Sequence, residues 1–281
     1  MSIDGPGPAG GVQGSMELYP ERIVCLTEET TEILYRLGEE RRIVGISGYT
    51  VRPPRARREK PKVSAFIEAD IPKITALRPD LVLGFSDLQA DIAAQLIRLG
   101  VPVVIFNQRS IEEILRAIAT VACLVGRQAD GEALVADLRA GLAAVQAAGG
   151  ALPWRPRVYF EEWPDPLISG IRWVGELIDI AGGQDVFVDR RGGQSGRERI
   201  VSADEVIARA PDVVVASWCG KKVKPAQIRA RLGWEAIPAI VRGHVYEVKS
   251  AIILQPGPAS LTEGVRALHR IIAAVARANG T

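Results

Sequence analysis

Residues 74–85 read ITALRPDLVLGF, and residues 206–217 repeat the same layout as VIARAPDVVVAS. In each stretch a run with helical periodicity ends at a Pro-Asp pair, Pro79-Asp80 or Pro211-Asp212, and a short apolar run follows. Proline stops a helix and restricts the residue before it to extended geometry. Short apolar runs without alternation are typical of parallel strands that are covered on both faces. Because the pattern occurs once in each half of the chain, it predicts two similar α/β lobes.

The same alternation of strands and helices extends outward from this repeat through both halves. Strands are predicted at residues 23–26, 43–46, 81–85 and 103–106, and then at 158–160, 213–217 and 245–248. Helices are predicted at residues 29–37, 72–77, 88–99, 111–125 and 129–148, and then at 173–181, 203–209, 225–231 and 259–278. The run at 129–148 lies between the two sets and predicts a connecting helix. The predicted organisation is a flexible tail (1–20), an N-terminal lobe (21–126), a connecting helix (127–150) and a C-terminal lobe (151–281).

The composition excludes several classes of protein. Of the 281 residues, 47% are hydrophobic and 24% are charged, which is usual for a globular chain and not for a fibrous or disordered one. No apolar run approaches the ~18 residues that a membrane-spanning helix needs. The net charge of +2 gives no general attraction to nucleic acid. The first basic residue is Arg22, so the start of the chain lacks the features of a secretory signal and predicts a cytoplasmic location.

Motifs for the common catalytic chemistries are missing from the sequence. The chain contains no GxxxxGKS/T, GxSxG or HExxH, so phosphate-binding loops and serine-hydrolase chemistry have no support. Two histidines, His244 and His269, lie apart from three widely spaced cysteines, Cys25, Cys123 and Cys219. This pattern predicts neither a metal site nor a disulfide framework.

Aromatic side chains occur at the ends of the predicted strands. Tyr49, Phe85, Trp163 and Trp218 lie at or just after strand ends, and Phe66 lies in a nearby loop. In an open α/β sheet the carboxyl ends of the strands form the binding crevice. We therefore expect a flat apolar ligand surface, whose polar rim is predicted to include Arg52, Arg109, Glu162 and Lys249. The alternative is that these rings pack on the core as lids.

Acidic pairs follow the first strand of each half. Glu28-Glu29 and Glu161-Glu162 have the residue types that supply acid–base pairs or oxygen ligands for a hard cation. Acids at a helix N-terminus are equally explained by the helix dipole. The pairs therefore leave a cation-dependent enzyme open as a hypothesis of a different class.

Longer stretches of the chain are similar to one known family. The likeness is carried by ERIVCLTEETTEILYRLGEERRIVGISGYT (21–50), KVSAF (62–66), KITALRPDLVLGF (73–85), GGQDVF (182–187) and VSADEVIARAPDVVVAS (201–217). Over nearly all of residues 21–278 the chain resembles the class III periplasmic substrate-binding proteins of ABC importers, which take cobalamin and siderophores. Within this group it is most similar to cobalamin-binding proteins.

The resemblance implies two Rossmann-like lobes joined by one long helix. It also implies a corrinoid or related metal chelate held between the lobes, with no covalent cofactor and no catalysis. By motif, Tyr49, Phe66 and Phe85 match aromatic positions of the first lobe, and Trp163 lies at the matching edge of the second. A periplasmic location and an ABC permease as partner follow from the family role.

Two segments depart from the family pattern. Where transport members carry glutamates that dock on the permease, this chain has DIPKI at 70–74, with Pro72 in place of the acid, and AIILQPGP at 251–258. The sequence therefore predicts no tight docking on a cobalamin-type permease. A cytoplasmic scavenging or sensing protein of the same fold is the alternative to an uptake protein.

Overall fold

The first lobe is built on a sheet of six strands. A computed structural model describes residues 18–278, so residues 1–17 of the predicted tail lie outside the described part. The strands are Ile23–Cys25 (β1), Ile43–Ser47 (β2), Lys62–Ala65 (β3), Glu68–Ala69 (β4), Leu81–Phe85 (β5) and Val103–Phe106 (β6). Their order across the sheet is β4-β3-β2-β1-β5-β6, and all pairs are parallel except β3 with β4. The helices are Glu28–Arg36 (α1), Ala56–Glu59 (α2), Ile71–Ala76 (α3), Ala90–Arg98 (α4) and Ile111–Leu124 (α5).

The second lobe contains a separate sheet of five strands. These are Arg157–Pro164 (β7), Leu167–Ser169 (β8), Gln184–Asp185 (β9), Val213–Ala216 (β10) and Val245–Glu247 (β11). The order is β11-β10-β7-β8, and β9 also pairs with β7. The helices are Arg172–Ile180 (α7), Ala203–Arg209 (α8), Pro225–Arg229 (α9), Pro238–Val241 (α10), Ser250–Ile253 (α11) and Val265–Ala278 (α12).

The two aspartates of the repeated Pro-Asp pair have equivalent structural roles. The Asp80 carboxylate accepts hydrogen bonds from the backbone N–H groups of Glu21 and Arg22, at 2.7 and 2.9 Å. In the second lobe the Asp212 carboxylate accepts one from the N–H of Arg157, at 2.9 Å. Each aspartate thus joins the start of its own strand to the start of the first strand of its lobe. This explains why the same pair occurs in both halves.

The predicted connecting helix is present and packs on both lobes. It runs over Gln128–Gly150 (α6) and lies against α5 of the first lobe and against α7 and α12 of the second. Two glycines allow these close approaches: a Cβ at Gly131 would collide with Ala122, and a Cβ at Gly149 would lie 2.7 Å from the backbone nitrogen of Gly182.

The lobes are also joined through their apolar core. One continuous cluster of buried side chains includes Ile118 of α5, Leu142 of α6, Leu177 of α7 and Leu268 of α12. A core shared by both lobes favours a rigid arrangement over a wide hinge motion. The predicted α/β fold with two lobes is confirmed, and the contact between the lobes is more extensive than a single helix.

The predicted elements differ from the observed ones mainly at their ends. The run predicted as one helix at 259–278 begins with a π-helical turn, Ser260–Gly264, before α12. The helix predicted to stop before Gly149 continues through Gly150. The strands β3, β4, β8 and β9 were not predicted.

Candidate functional site: an aromatic cavity between the lobes

A cavity lies between the two lobes, where the strands of both sheets end. It has a volume of about 670 Å³. The first lobe contributes residues that follow β1, β2, β3, β5 and β6, and the second contributes residues from β7, from the segment before α8 and from the loops after β10 and β11. A crevice at the carboxyl ends of the strands is the usual ligand site of open α/β sheets.

Three of the predicted aromatic residues line the first-lobe wall: Tyr49, Phe66 and Phe85. Tyr49 is 54% exposed, whereas Phe85 is only 8% exposed. Phe66 has a φ of 55°, in the left-handed region that non-glycine residues seldom occupy. The wall therefore combines one well-packed ring, one accessible ring and one ring on a strained backbone.

A buried glutamine fixes two of these aromatic residues. The Gln89 side chain is fully buried; its Nε2 donates to the Phe66 carbonyl at 2.7 Å, and its Oε1 accepts from the Phe85 N–H at 3.0 Å. Both backbone groups are satisfied by one side chain, so Gln89 holds the Phe66 loop against the end of β5. A glutamine inside a helical run carries no signal of its own, so the sequence does not indicate this residue.

Arg109 lines the cavity as a buried cation with few partners. Arg109 is 9% exposed, and its Nε has no hydrogen-bond partner in the described part of the chain. The guanidinium carbon lies 4.9 Å from the Phe85 ring centroid. The guanidinium pairs with Asp87, whose Oδ1 lies 3.4 Å from an Arg109 Nη and whose side chain is 75% exposed. Burial lowers the pKa of the Arg109 guanidinium below its ordinary value, although its neighbour Asp87 opposes this shift.

Glu28, at the start of α1, also lines the cavity. Its Oε2 is buried and has no hydrogen-bond partner within residues 18–278. Burial, together with the nearby Glu29 and Glu32, raises the pKa of Glu28 to about 8. The raised pKa favours the protonated form of the Glu28 carboxyl.

Glu29 faces away from the cavity lining and into the contact between the lobes. It is 1% exposed, and a Cβ placed on Gly257 of the second lobe would contact its side chain. Its Oε1 accepts from the Thr27 hydroxyl at 2.5 Å, and burial raises the pKa of Glu29 to about 7. Glu28 and Glu29 thus have different surroundings: Glu28 lines the cavity, and Glu29 lies in the contact between the lobes.

In the second lobe, Glu162 is paired with an arginine, Arg199, that no sequence pattern indicated. Its two carboxylate oxygens accept from the Arg199 guanidinium at 2.7 and 3.0 Å, and one also accepts from the Ile171 N–H at 3.1 Å. Arg199 is 2% exposed and lines the cavity with Glu162. This bidentate pair is a fixed polar element of the wall.

Glu161, the neighbour of Glu162, is not part of the cavity. Successive residues of a strand point to opposite faces, and Glu161 is fully buried on the other face of β7. There it accepts from an Nη of Arg231 at 2.9 Å and from the Trp218 indole at 3.1 Å. The two acidic pairs therefore do not form one cluster across the cleft.

Four predicted residues lie outside the lining of the cavity. Trp218 is 6% exposed and packs in the core of the second lobe, because its indole is held by Glu161. Trp163 lies under Lys221, whose Nζ is 4.2 Å from the ring centroid, and its Nε1 donates to the Asp165 carbonyl at 3.0 Å. The other two are Arg52, which is paired with Glu263, and Lys249, which is exposed just before α11.

Trp173 is the tryptophan that does line the cavity. It lies in α7, is 2% exposed, and its Nε1 donates to the Ile253 carbonyl at 2.9 Å. Further lining comes from the segments 194–196 and 254–256. Nothing in the sequence of 192–196, which holds glycines and a serine, gave a reason to place these residues at the cavity.

The described residues offer no preformed metal centre. Within residues 18–278, no group of three or more His, Cys, Asp or Glu side chains is arranged to hold a metal ion. Over the same range, every helix is too short or too polar to cross a bilayer.

The two α/β lobes and the aromatic cavity between them define a bilobed ligand-binding protein. The chain belongs to the periplasmic binding protein family, whose family model matches residues 23–252. The predicted resemblance is thereby confirmed, and so is the class of a binding protein rather than an enzyme. The family is periplasmic by its description, so the expectation of a cytoplasmic location finds no support.

Individual relatives agree with this assignment over most of their length. The uncharacterized ABC transporter substrate-binding lipoprotein YvrC of Bacillus subtilis (strain 168) is 27% identical over 263 residues, which cover 90% of this chain and 80% of that protein. A vitamin B12-binding protein of Vibrio parahaemolyticus is 26% identical over 245 residues, covering 86% of each. The periplasmic heme-binding protein RhuT of Roseiflexus sp. RS-1, in its apo form, matches with a TM-score of 0.76 and 25% identity, covering 90% of this chain and 99% of that one.

Proposed function

We propose that this protein binds a corrinoid or a related metal chelate in the cavity between its lobes, as the substrate-binding component of an ABC-type uptake system. The observation that carries the proposal is the set of aromatic side chains, Tyr49, Phe66, Phe85 and Trp173, that line one cavity of about 670 Å³. A tetrapyrrole-like macrocycle presents a large apolar face, and aromatic walls bury such a face favourably.

Binding on this account involves no covalent step. The ligand is held by ring contacts and by the polar groups of the rim, and the shared core of the lobes keeps the cavity preformed. Two relatives support the ligand class, since the Vibrio parahaemolyticus protein is named for vitamin B12 and RhuT for heme. Both are metal-holding macrocycles.

A titration tests this proposal directly. The purified chain is titrated with cyanocobalamin, dicyanocobinamide and hemin, and binding is followed by calorimetry. We expect at least one of the three to bind with a Kd of about 1 μM or tighter. If none of them binds even at a ligand concentration of about 100 μM, the proposal is wrong.

The alternative of a scavenging or sensing protein of the same fold rests on two segments. Pro72 lies in the first turn of α3, and residues 251–258 contain no acidic residue. Carboxylates that meet arginine pockets are geometrically demanding contacts. Residues 251–258 have no carboxylate, and Asp70, the one acid of residues 70–74, accepts from the Lys73 N–H. Co-purification with a membrane permease in detergent would favour uptake, and a soluble protein that retains its chelate without a permease would favour the alternative.

A further inference from the structure

A run of basic residues lies beside the mouth of the cavity on the second lobe. Residues 219–232 read CGKKVKPAQIRARL and hold five lysines and arginines but no acidic residue. The first two residues of this stretch, Cys219 and Gly220, line the cavity. Residues 219–232 are called the basic segment below.

Two side-chain contacts hold the basic segment across the carboxyl end of the second sheet. The Val223 N–H donates to the Glu247 carboxylate at 3.2 Å, and an Nη of Arg231 donates to the Glu161 carboxylate at 2.9 Å. Glu247 and Glu161 are the residues that pair with Ala216, the last residue of β10. The basic segment therefore lies at the same edge of the sheet as the cavity.

Four cations of the basic segment are free to meet a partner. Lys221, Lys222, Lys224 and Arg229 are exposed, and none of them forms an ion pair with an acid of residues 18–278. The fifth cation, Arg231, is held by Glu161. Lysines are compact charges on flexible stems, so they suit a layer of mobile anionic groups better than one fixed carboxylate.

The first lobe carries a second basic stretch next to the cavity. Residues 52–62 contain six basic residues and one acid, Glu59, and they follow Val51, which lines the cavity. Arg57 lies at this edge, because its guanidinium donates to the carbonyl of Gly48, directly after β2, at 2.8 Å. Arg57 is exposed and forms no ion pair with a described residue. Both lobes thus place unpaired cations near the mouth.

The small net charge of the chain conceals a strong charge polarity. Residues 52–62 and 219–232 together hold eleven of the 35 basic residues and one of the 33 acidic residues, so the rest of the chain has eight more acids than bases. A protein with this distribution turns its basic edge toward an anionic surface, because its other surfaces are repelled.

Exposed apolar side chains accompany these cations. Leu232, which ends the basic segment, is 94% exposed. At the cavity, Tyr49, Ile67 and Leu88 are each more than half exposed. The headgroup layer of a bilayer accepts both basic and apolar side chains, whereas a dissolved polyanion contacts only the charges.

We propose that this edge of the protein docks on the anionic headgroups of a lipid bilayer, so that the mouth of the cavity faces the membrane. The docking surface comprises the basic segment and the first-lobe stretch 52–62. This inference goes beyond the proposed function and does not depend on which chelate the cavity binds.

Vesicle binding by the full chain, without chelate, tests the charge requirement. The vesicles contain phosphatidylcholine alone, or equal parts of phosphatidylcholine and phosphatidylglycerol. We expect binding to the anionic vesicles only, weakened by about tenfold or more at high salt. The double variant Lys222→Gln/Lys224→Gln should bind them about tenfold or more weakly, because each cation near an anionic surface contributes about fivefold.

The matched control removes the same charge from the opposite end of the second lobe. Arg270 and Arg277 are exposed on α12, which reaches the residues before β7, since the Trp154 indole donates to the Ala276 carbonyl. Arg270→Gln/Arg277→Gln should change the affinity for anionic vesicles by less than about threefold.

Two native cysteines report the orientation on the vesicle. Cys219 is exposed at the start of the basic segment, whereas Cys123 is exposed near the end of α5, roughly 18 Å along the helix from its cavity end. An environment-sensitive fluorophore on Cys219, in Cys123→Ser, should shift to the blue on anionic vesicles. The same fluorophore on Cys123, in Cys219→Ser, should not shift.

Several results would overturn the inference. These are no preference for anionic vesicles, full affinity in Lys222→Gln/Lys224→Gln, an equal loss in the α12 control, or a blue shift at Cys123 and not at Cys219. Binding to polyglutamate or to a DNA duplex, with none to anionic vesicles, would assign the surface to an acidic protein or to nucleic acid and would equally overturn it. The chelate titration is a separate measurement, so none of these results decides the proposed function.

Discussion

Replacing Gln89 by leucine should damage both the stability of the first lobe and the affinity of the cavity. Gln89 is fully buried and makes two hydrogen bonds, to the Phe85 N–H at 3.0 Å and to the Phe66 carbonyl at 2.7 Å. Leucine leaves the buried Phe85 N–H and the partly buried Phe66 carbonyl without these partners, at about 1–3 kcal/mol each at most. Local relaxation recovers part of this cost, so we expect a loss of about 2–4 kcal/mol in the free energy of unfolding.

The same substitution should weaken ligand binding through Phe66. The left-handed backbone of Phe66 is held in place by the bond from Gln89, and without it the residue returns to an ordinary conformation and turns its ring away. Urea unfolding gives the stability, and titration with cyanocobalamin or hemin gives the affinity. Gln95→Leu, at an exposed position of α4, is the matched control. A change below about 0.5 kcal/mol in stability, with unaltered affinity, would refute the reasoning.

Three further predictions concern other parts of the molecule. Burial raises the pKa of Glu29 from 4.5 to about 7, so the native state binds this proton more tightly than the unfolded chain does. The free energy of unfolding therefore falls as the pH rises from 4.5 to about 7. In Glu29→Gln, the decrease of the unfolding free energy with rising pH should be smaller by roughly 1–3 kcal/mol, as measured by urea unfolding at several pH values. A pH profile identical to that of the wild type would contradict this prediction. A bound chelate should quench tryptophan fluorescence mainly through Trp173, so Trp173→Phe should lose most of the quenching and Trp163→Ala little; the reverse ranking would place the ligand elsewhere. Because Pro72 and residues 251–258 lack docking carboxylates, we expect no submicromolar complex with a cobalamin-type permease, and a direct binding assay that detects one would contradict this.

The sequence was sufficient for the fold because its signals are local and repeated. The Pro-Asp pairs at Asp80 and Asp212 mark equivalent positions in both lobes, and each aspartate makes the same kind of bond to the first strand of its lobe. The run at 129–148 indicated α6 to within two residues at either end. What remained hidden was the extent of the shared core, since contacts between distant helices leave no mark in local periodicity.

The site was predicted in part, because strand ends indicate an edge of the sheet but not the direction of a side chain. Tyr49, Phe66, Phe85, Arg109 and Glu162 line the cavity as expected. Trp218 follows its strand at the same edge, yet it turns into the core because its indole is bound by a buried glutamate.

Trp173, Arg199 and Gln89 illustrate the opposite difficulty. Their importance depends on partners far along the chain: the Ile253 carbonyl, Glu162 and the Phe66 carbonyl, respectively. A residue of this kind has no local signal in a single sequence, and the folded arrangement is needed to identify it.

The central claim, that a chelate binds against the aromatic wall between the lobes, is tested most directly by the affinity of Phe66→Ala. Phe66 lines the cavity and is only partly buried against the core, so its loss should affect the ligand more than the fold. Titration of this variant with the chelate that the wild type binds should give an affinity weaker by about 1–3 kcal/mol, with a melting temperature close to that of the wild type. Unchanged affinity together with a large fall in melting temperature would show that the ring belongs to the core and would contradict the claim.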